Sequence, residues 1–343
     1  MCQNRRGNIT ISRFGLSCMK NLTFLLAVVM LQILFGCSSN GDEPSVPKYG
    51  SAPVVVSFSI NPEMVFYQDV NLEESRAGGS MDLRCQVRAY AESSNGQLSA
   101  RPVADTLLIL PAKGPQQGRC KFTLPSGRYR VMAWADYVDA GSKADKYYTT
   151  TDFSDIRLNG SYVGGTDARN AFAGSAAVNF SVPYGDTTTV VRQDLPLASV
   201  MGKIKFVATD YNQWLAGTPQ NLRVLVNYPA FLPHRYSVPR GVPFDATTGV
   251  SFISTMSELS TDGHGSATLA TDYVMVNGDE SSVTVALGLY DDTGKLVCSS
   301  GTINVPLRRG GLTVVNGHFL TKTANSGGIG IDPDFDGDIN IYF

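Results

Sequence analysis

Histidine is nearly missing from this chain: His234, His264 and His318 are the only three in 343 residues. They are scattered, with none of the close spacing that zinc ligands need. No Gly-x-Ser-x-Gly elbow, phosphate-binding Gly-rich loop or His-Glu-x-x-His helix occurs, which leaves hydrolytic and nucleotide chemistry without a motif. Charge is also sparse, at 17% of residues against a usual ~25%. Neither a long helical period nor an apolar run of the ~20 residues that span a bilayer is present. Of six cysteines, Cys2, Cys18 and Cys37 lie near the start, which leaves Cys85, Cys120 and Cys298. Three thiols cannot all pair. One Cys85–Cys120 bridge is conceivable, but an odd thiol left over argues against a disulfide framework and for small buried hydrophobes.

What the chain does have begins at Met19-Lys20-Asn21. A run of about 14 mostly apolar residues follows, Leu22 to Phe35, and ends in Leu34-Phe35-Gly36-Cys37. Its length suits the core of an export signal, which needs about 7–15 residues. Leu34, Gly36 and Cys37 resemble the lipobox of lipoprotein precursors, with Phe35 bulkier than usual. The expectation is a signal peptide over 1–36, with Met19 the true start, and a mature chain whose Cys37 carries lipid. That places it at the outer membrane, lipid-anchored, facing the cell surface. Removing Arg5, Arg6, Arg13 and Lys20 with the signal takes the net charge from −2 to −6. No basic cluster survives, so no nucleic acid partner is expected.

Residues 37–52 read as a polar tether rich in turn formers. From Pro53 the pattern has period two. Val54–Ile60 and Leu83–Tyr90 alternate as strands, and further strands are expected at Thr106–Leu110, Arg119–Leu124, Tyr129–Tyr137, Ala176–Val182 and Thr187–Leu195. Asp136–Gly165 breaks this rhythm and reads as a long polar, aromatic loop of the kind that often carries function. Leu195-Pro196-Leu197-Ala198 looks like a junction. Beyond it, Val200–Val207, Leu222–Asn227, Ala267–Val276, Ser282–Tyr290, Lys295–Ser299 and Leu312–Thr323 read as strands, with one short helix at Tyr211–Ala216. Short strands punctuated by turns predict an all-β chain of two tandem β-sandwich domains, 53–197 and 198–343.

Ser126-Gly127-Arg128-Tyr129-Arg130-Val131-Met132-Ala133-Trp134-Ala135-Asp136-Tyr137-Val138, then Lys146-Tyr147-Tyr148 and Arg169-Asn170-Ala171-Phe172-Ala173-Gly174, resemble the fimbrillin-like surface lipoproteins of Bacteroides-type bacteria. They also resemble an uncharacterised domain family within that group, as does the tail Asp332–Phe343. The resemblance spans roughly 50–343. It implies transthyretin-like sandwiches, kinship with type V pilus subunits and anchors, and assembly by strand exchange. It also implies trimming after an arginine to free a groove, for which Arg76 in Glu74-Ser75-Arg76-Ala77-Gly78-Gly79 is the candidate; an ordinary loop arginine is the alternative.

Three further features have two readings each. Asp332, Asp334 and Asp336 match the opening of a calcium loop, but the closing bidentate Glu is absent, so an acidic turn before a last strand competes with a weak Ca²⁺ site. No other cofactor is expected. Tyr137, Tyr147, Tyr148, Phe153 and Tyr162 either stack on sugars and partners or bury against the sandwiches. Asp105-Thr106-Leu107 and Asp186-Thr187-Thr188 either resemble a short O-glycosylation signal or match it by chance, as so short a pattern often does. The resulting expectation is a non-enzymatic surface lipoprotein, a fimbrillin-like pilus anchor, accessory subunit or adhesin. Its partners are the membrane, pilus subunits and a surface ligand. The alternative is a carbohydrate-binding lipoprotein of a glycan-uptake system.

Overall fold

The computed structural model describes residues 48–61, 81–217, 221–255, 265–321 and 339–342. The first strand, β1 (Ser51–Ile60), is rich in β-branched and aromatic residues that fit a pleated, half-buried surface. It is followed by β2 (Met81–Ala91), β3 (Ala104–Pro111), β4 (Gln116–Pro125), β5 (Gly127–Asp139), β6 (Tyr148–Thr149), β7 (Ile156–Leu158), β8 (Ala171–Phe180) and β9 (Val191–Ser199). Seven of these make one sheet in the order β3-β2-β5-β8-β9-β1-β4. Its two faces join where β8 meets β9 at Phe172↔Ser199 and Ala173↔Ala198. The sheet closes over a core of Val54, Val56, Phe58, Leu83, Val87, Phe122, Val131 and Leu195, among others.

The second half comprises β10 (Met201–Ala208), β11 (Arg223–Tyr228), β12 (Leu232–Ser237), β13 (Val242–Thr247), β14 (Val250–Thr255), β15 (Ala267–Met275), β16 (Glu280–Tyr290), β17 (Leu296–Arg308), β18 (Leu312–Gly317) and β19 (Ile339–Tyr342). The helix at α1 (Tyr211–Ala216) stands where the sequence places it. Sheets β15-β10-β18-β19 and β14-β11-β16-β17 enclose a core built on Ile204, Phe206, Val224, Val226, Leu269, Val285 and Val305. Each half repeats one arrangement. In the first, β1 lies between an antiparallel β4 and a parallel β9; in the second, β10 lies between an antiparallel β15 and a parallel β18. The all-β expectation holds.

Several segments differ from the sequence reading. Leu195–Ala198, expected to be a junction, lies inside β9 with Leu195 and Leu197 buried in the first core, and β12, β13 and β14 were not anticipated. Asp136–Gly165 is not one long loop. It carries the end of β5 and then β6 and β7, which join β12 and β13 in a fourth sheet, β13-β12-β7-β6. This sheet draws strands from both halves of the chain. Beneath it lies a third core of Trp134, Tyr148, Phe153, Ile156, Met201, Tyr236 and Tyr273. Periodicity could not show β6 and β7, because two or three residues make too short a window for an alternation. Residues Tyr49–Phe343 form one compact unit.

Candidate strand-pairing site

The first strand occupies a groove between two others. On one side Ser51↔Pro125 to Ile60↔Gln116 pair antiparallel with β4; on the other Val54↔Val191 to Ile60↔Leu197 pair parallel with β9. Alternate side chains, Ala52, Val54, Val56, Phe58 and Ile60, are all at most 3% exposed. Each fully buried Val, Ile or Phe contributes about 1.5–3 kcal/mol. The start of the strand is clamped as well. Gly50 N–H donates to the Val182 carbonyl at 2.9 Å, and the Ser126 hydroxyl donates to the Gly50 carbonyl at 2.9 Å. A Cβ at Gly50 would sit 2.7 Å from the Pro183 carbonyl oxygen, so only glycine allows this approach.

The described chain leaves β1 at Asn61 and resumes at Met81. Arg76 falls between them, outside the described residues, as do Cys37 and the acidic triplet Asp332, Asp334 and Asp336. Among the described residues no group of three metal-ligating side chains comes together, and no helix is long and apolar enough to cross a membrane. Cys85, Cys120 and Cys298 are free thiols. Burial pushes Cys120 and Cys298 up to about 11, and Cys85 higher still, which keeps all three protonated near neutral pH.

The last strand differs from the first. Among the described residues β19 pairs only with β18, from Leu312↔Tyr342 to Val315↔Ile339, at the edge of its sheet. Of the two terminal segments the sequence offers for exchange, one is thus enclosed on both sides and the other, among the described residues, has a strand on one side.

The aromatic segment is turned inward. Tyr148 and Phe153 are fully buried. The Trp134 ring meets Tyr148 edge-on at 5.5 Å and Tyr236 at 5.7 Å. Tyr162 packs against Tyr228 and Phe252 at 6.0 and 6.2 Å. These rings join the two halves rather than offering a sugar platform.

Two buried ionic clusters hold this segment, and sequence patterning found neither. Asp272, on β15, accepts from Arg169 Nη1 at 3.0 Å, from the Tyr162 and Tyr228 hydroxyls, and from the Tyr273 N–H at 2.8 Å. The Arg169 guanidinium also lies 3.9 Å over the Tyr162 ring. Burial pushes the Asp272 carboxyl up, while Arg169 and the two hydroxyls pull it back. In the other cluster Arg84 forks onto Asp136, with Nε and Nη2 at 2.9 and 2.8 Å, and reaches Asp145 with Nη1 at 2.9 Å. Burial lifts the Asp136 carboxyl to about 6 against the pull of Arg84. The pattern Leu83-Arg84-Cys85-Gln86-Val87 reads as a strand with a wet face. Residues 143–151 cover that face, through Arg84 to the Lys143 carbonyl and Gln86 Nε2 to Thr150 Oγ1.

A family model, that of the family of unknown function DUF6562, matches residues 50–342. The chain belongs to that family. Among solved structures, the DUF6562 chain is similar to the tip fimbrial protein of Porphyromonas gingivalis with a C-terminal truncation, at 12% identity and a TM-score of 0.42 over 85% of this chain and 99% of the other. It is similar to the fimbrial anchor protein of the same organism, at 13% identity and a TM-score of 0.38 over 85% and 96%. A fimbrial assembly protein from Parabacteroides distasonis matches at 8% identity and a TM-score of 0.41 over 78% and 91%. At these scores and identities the likeness is distant. No curated protein matches the chain.

Proposed function

We propose that this chain is a non-enzymatic surface lipoprotein of the pilus type, an anchor, accessory subunit or adhesin, built as two sandwiches, 53–197 and 198–343, that project from a lipid on Cys37. The observation that carries this reading is the placement of β1. It is enclosed between β9 and the edge strand β4, yet only the segment holding Arg76 joins it to β2. A cut after Arg76 leaves β1 held by hydrogen bonds and packing alone, so a strand from a neighbour can take its place. The covered aromatics Tyr148 and Phe153 withdraw the residues on which a glycan-binding reading would draw.

Mass spectrometry tests both ends of the proposal. Limited trypsin treatment of the folded chain is expected to cut after Arg76 and leave the remainder folded. Intact-mass analysis of membrane-extracted protein is expected to show a lipid-modified Cys37 as the first residue. A chain resistant to cleavage anywhere between Asn61 and Met81 overturns strand exchange. An unmodified start away from Cys37 overturns the anchor.

A further inference from the structure

We propose that Gly118 is a specificity-determining residue of the β1 groove: a notch that accepts an aromatic ring and thereby fixes the register of any strand that fills it. The inference rests on the strand-pairing reading and adds to it a rule for which strands fit. Phe58 stands directly opposite Gly118 in the β1–β4 ladder. The far end of its ring occupies the space a side chain at position 118 would take. A Cβ built on Gly118 would come within 2.0 Å of the ring's Cζ and 2.6–2.7 Å of both Cε atoms. No shift of a few tenths of an ångström relieves such an overlap, so any side chain at position 118 displaces the ring.

The other positions on this face of β4 carry Gln116, Cys120, Phe122 and Leu124, opposite Ile60, Val56, Val54 and Ala52. Of the positions on this face of β4, Gly118 alone leaves its side-chain space empty. A strand displaced by two residues would drive its ring against Cys120 and leave the notch unfilled. A displacement by one would turn its apolar face outward. The requirement is thus an apolar residue, a gap, an apolar residue, a gap, then a ring: Val54-x-Val56-x-Phe58 in β1 itself. Ile339-Asn340-Ile341-Tyr342-Phe343 has the same spacing, with Phe343 in the ring position. A second copy of this chain therefore carries a segment that meets the rule.

The test uses the full chain nicked after Arg76 by trypsin and fluorescent synthetic peptides. The probes are the Pro53–Ile60 sequence, its Phe58→Ala form, a form with the ring moved two residues (Val56→Phe with Phe58→Val), and Ile339–Phe343 with and without Phe343→Ala. The native sequence and Ile339–Phe343 are expected to be taken up at least tenfold better than their alanine forms, and the ring-shifted peptide no better than the Phe58→Ala form. Gly118→Ala is expected to remove the preference. Because that variant clashes with its own Phe58, the doubly substituted Phe58→Ala, Gly118→Ala chain supplies a folded background for the same measurement. Equal uptake of all the peptides overturns the notch while leaving strand exchange standing. Uptake of none, with β1 retained, overturns the strand-pairing reading and the notch with it.

Discussion

At the scale of single residues, the groups that hold this molecule together are charges placed where water is excluded. Asp272 and Arg169 are 1% and 4% exposed, and each is the other's only ionic partner in the described structure. Removing one member leaves the other charge buried and uncompensated, which typically costs about 3–5 kcal/mol. Asp272→Ala is therefore expected to lower stability by that amount in urea unfolding, and Asp272→Asn by less, since its amide can still accept from the two tyrosines. A loss under 1 kcal/mol would show that Arg169 finds another partner.

Asp155 shows the opposite electrostatics. Hydrogen bonds from Arg235 and Arg157 hold its carboxyl well below the usual carboxylate range, with Arg235 Nε and Nη2 both at 2.6 Å. A carboxylate whose pKa is depressed by folding stabilises the fold fully above its unfolded value of ~3.9 and loses that contribution as the pH falls below it. Melting temperatures from pH 6 down to pH 2.5 are expected to fall more steeply for the parent chain than for Asp155→Asn. Parallel curves would remove Asp155 from the acid response.

At the scale of elements, the strands divide by how many neighbours they have. Enclosed on both sides, β1 loses no ladder partner to solvent, whereas the four residues of β19 have one partner. Local opening free energies track such differences. Amide exchange at Ile339–Tyr342 is expected to be faster than at Val54–Ile60 by orders of magnitude. Equal protection would mean that β19 is held as firmly as a central strand.

What the sequence made legible follows the same division. Val54–Ile60, Leu83–Tyr90 and Tyr129–Tyr137 alternate strongly because one face of each meets a core, and the structure places strands over all three. The fourth sheet, β13-β12-β7-β6, was illegible for a physical reason. Its β12 reads Leu-Pro-His-Arg-Tyr-Ser, whose outward side chains are held by ion pairs with Asp155 and Asp245 rather than by an apolar pattern. The groove was legible only in part. The apolar face of β1 can be read from period two, but the pairing of Phe58 with Gly118 depends on a register between segments far apart in sequence. Arg76, Cys37 and the Asp332, Asp334, Asp336 triplet rest on sequence alone.

At the scale of the whole molecule, the third core makes the two halves interdependent. Trp134 comes from β5 of the first half and touches Tyr236 from the second. Truncating a large buried aromatic typically costs about 3–5 kcal/mol. Trp134→Ala is expected to split one calorimetric unfolding transition into two, as each half melts at its own temperature. A single transition merely shifted downwards would show that the ionic contacts suffice to couple the halves.

The pairing of β1 with β9 also governs the order of events in time. Val54 needs Phe122 and Val191 before its ladder is complete on both sides. Pairings between distant segments form slowly, because the loop must close before any contact rewards it. A chain emerging from the ribosome presents β1 first and β9 only after more than a hundred further residues. During that interval the Val-Val-Val-Ser-Phe stretch is an unsatisfied strand, open to any partner that arrives earlier. The topology that buries β1 most completely in the finished molecule is thus the one that leaves it waiting longest.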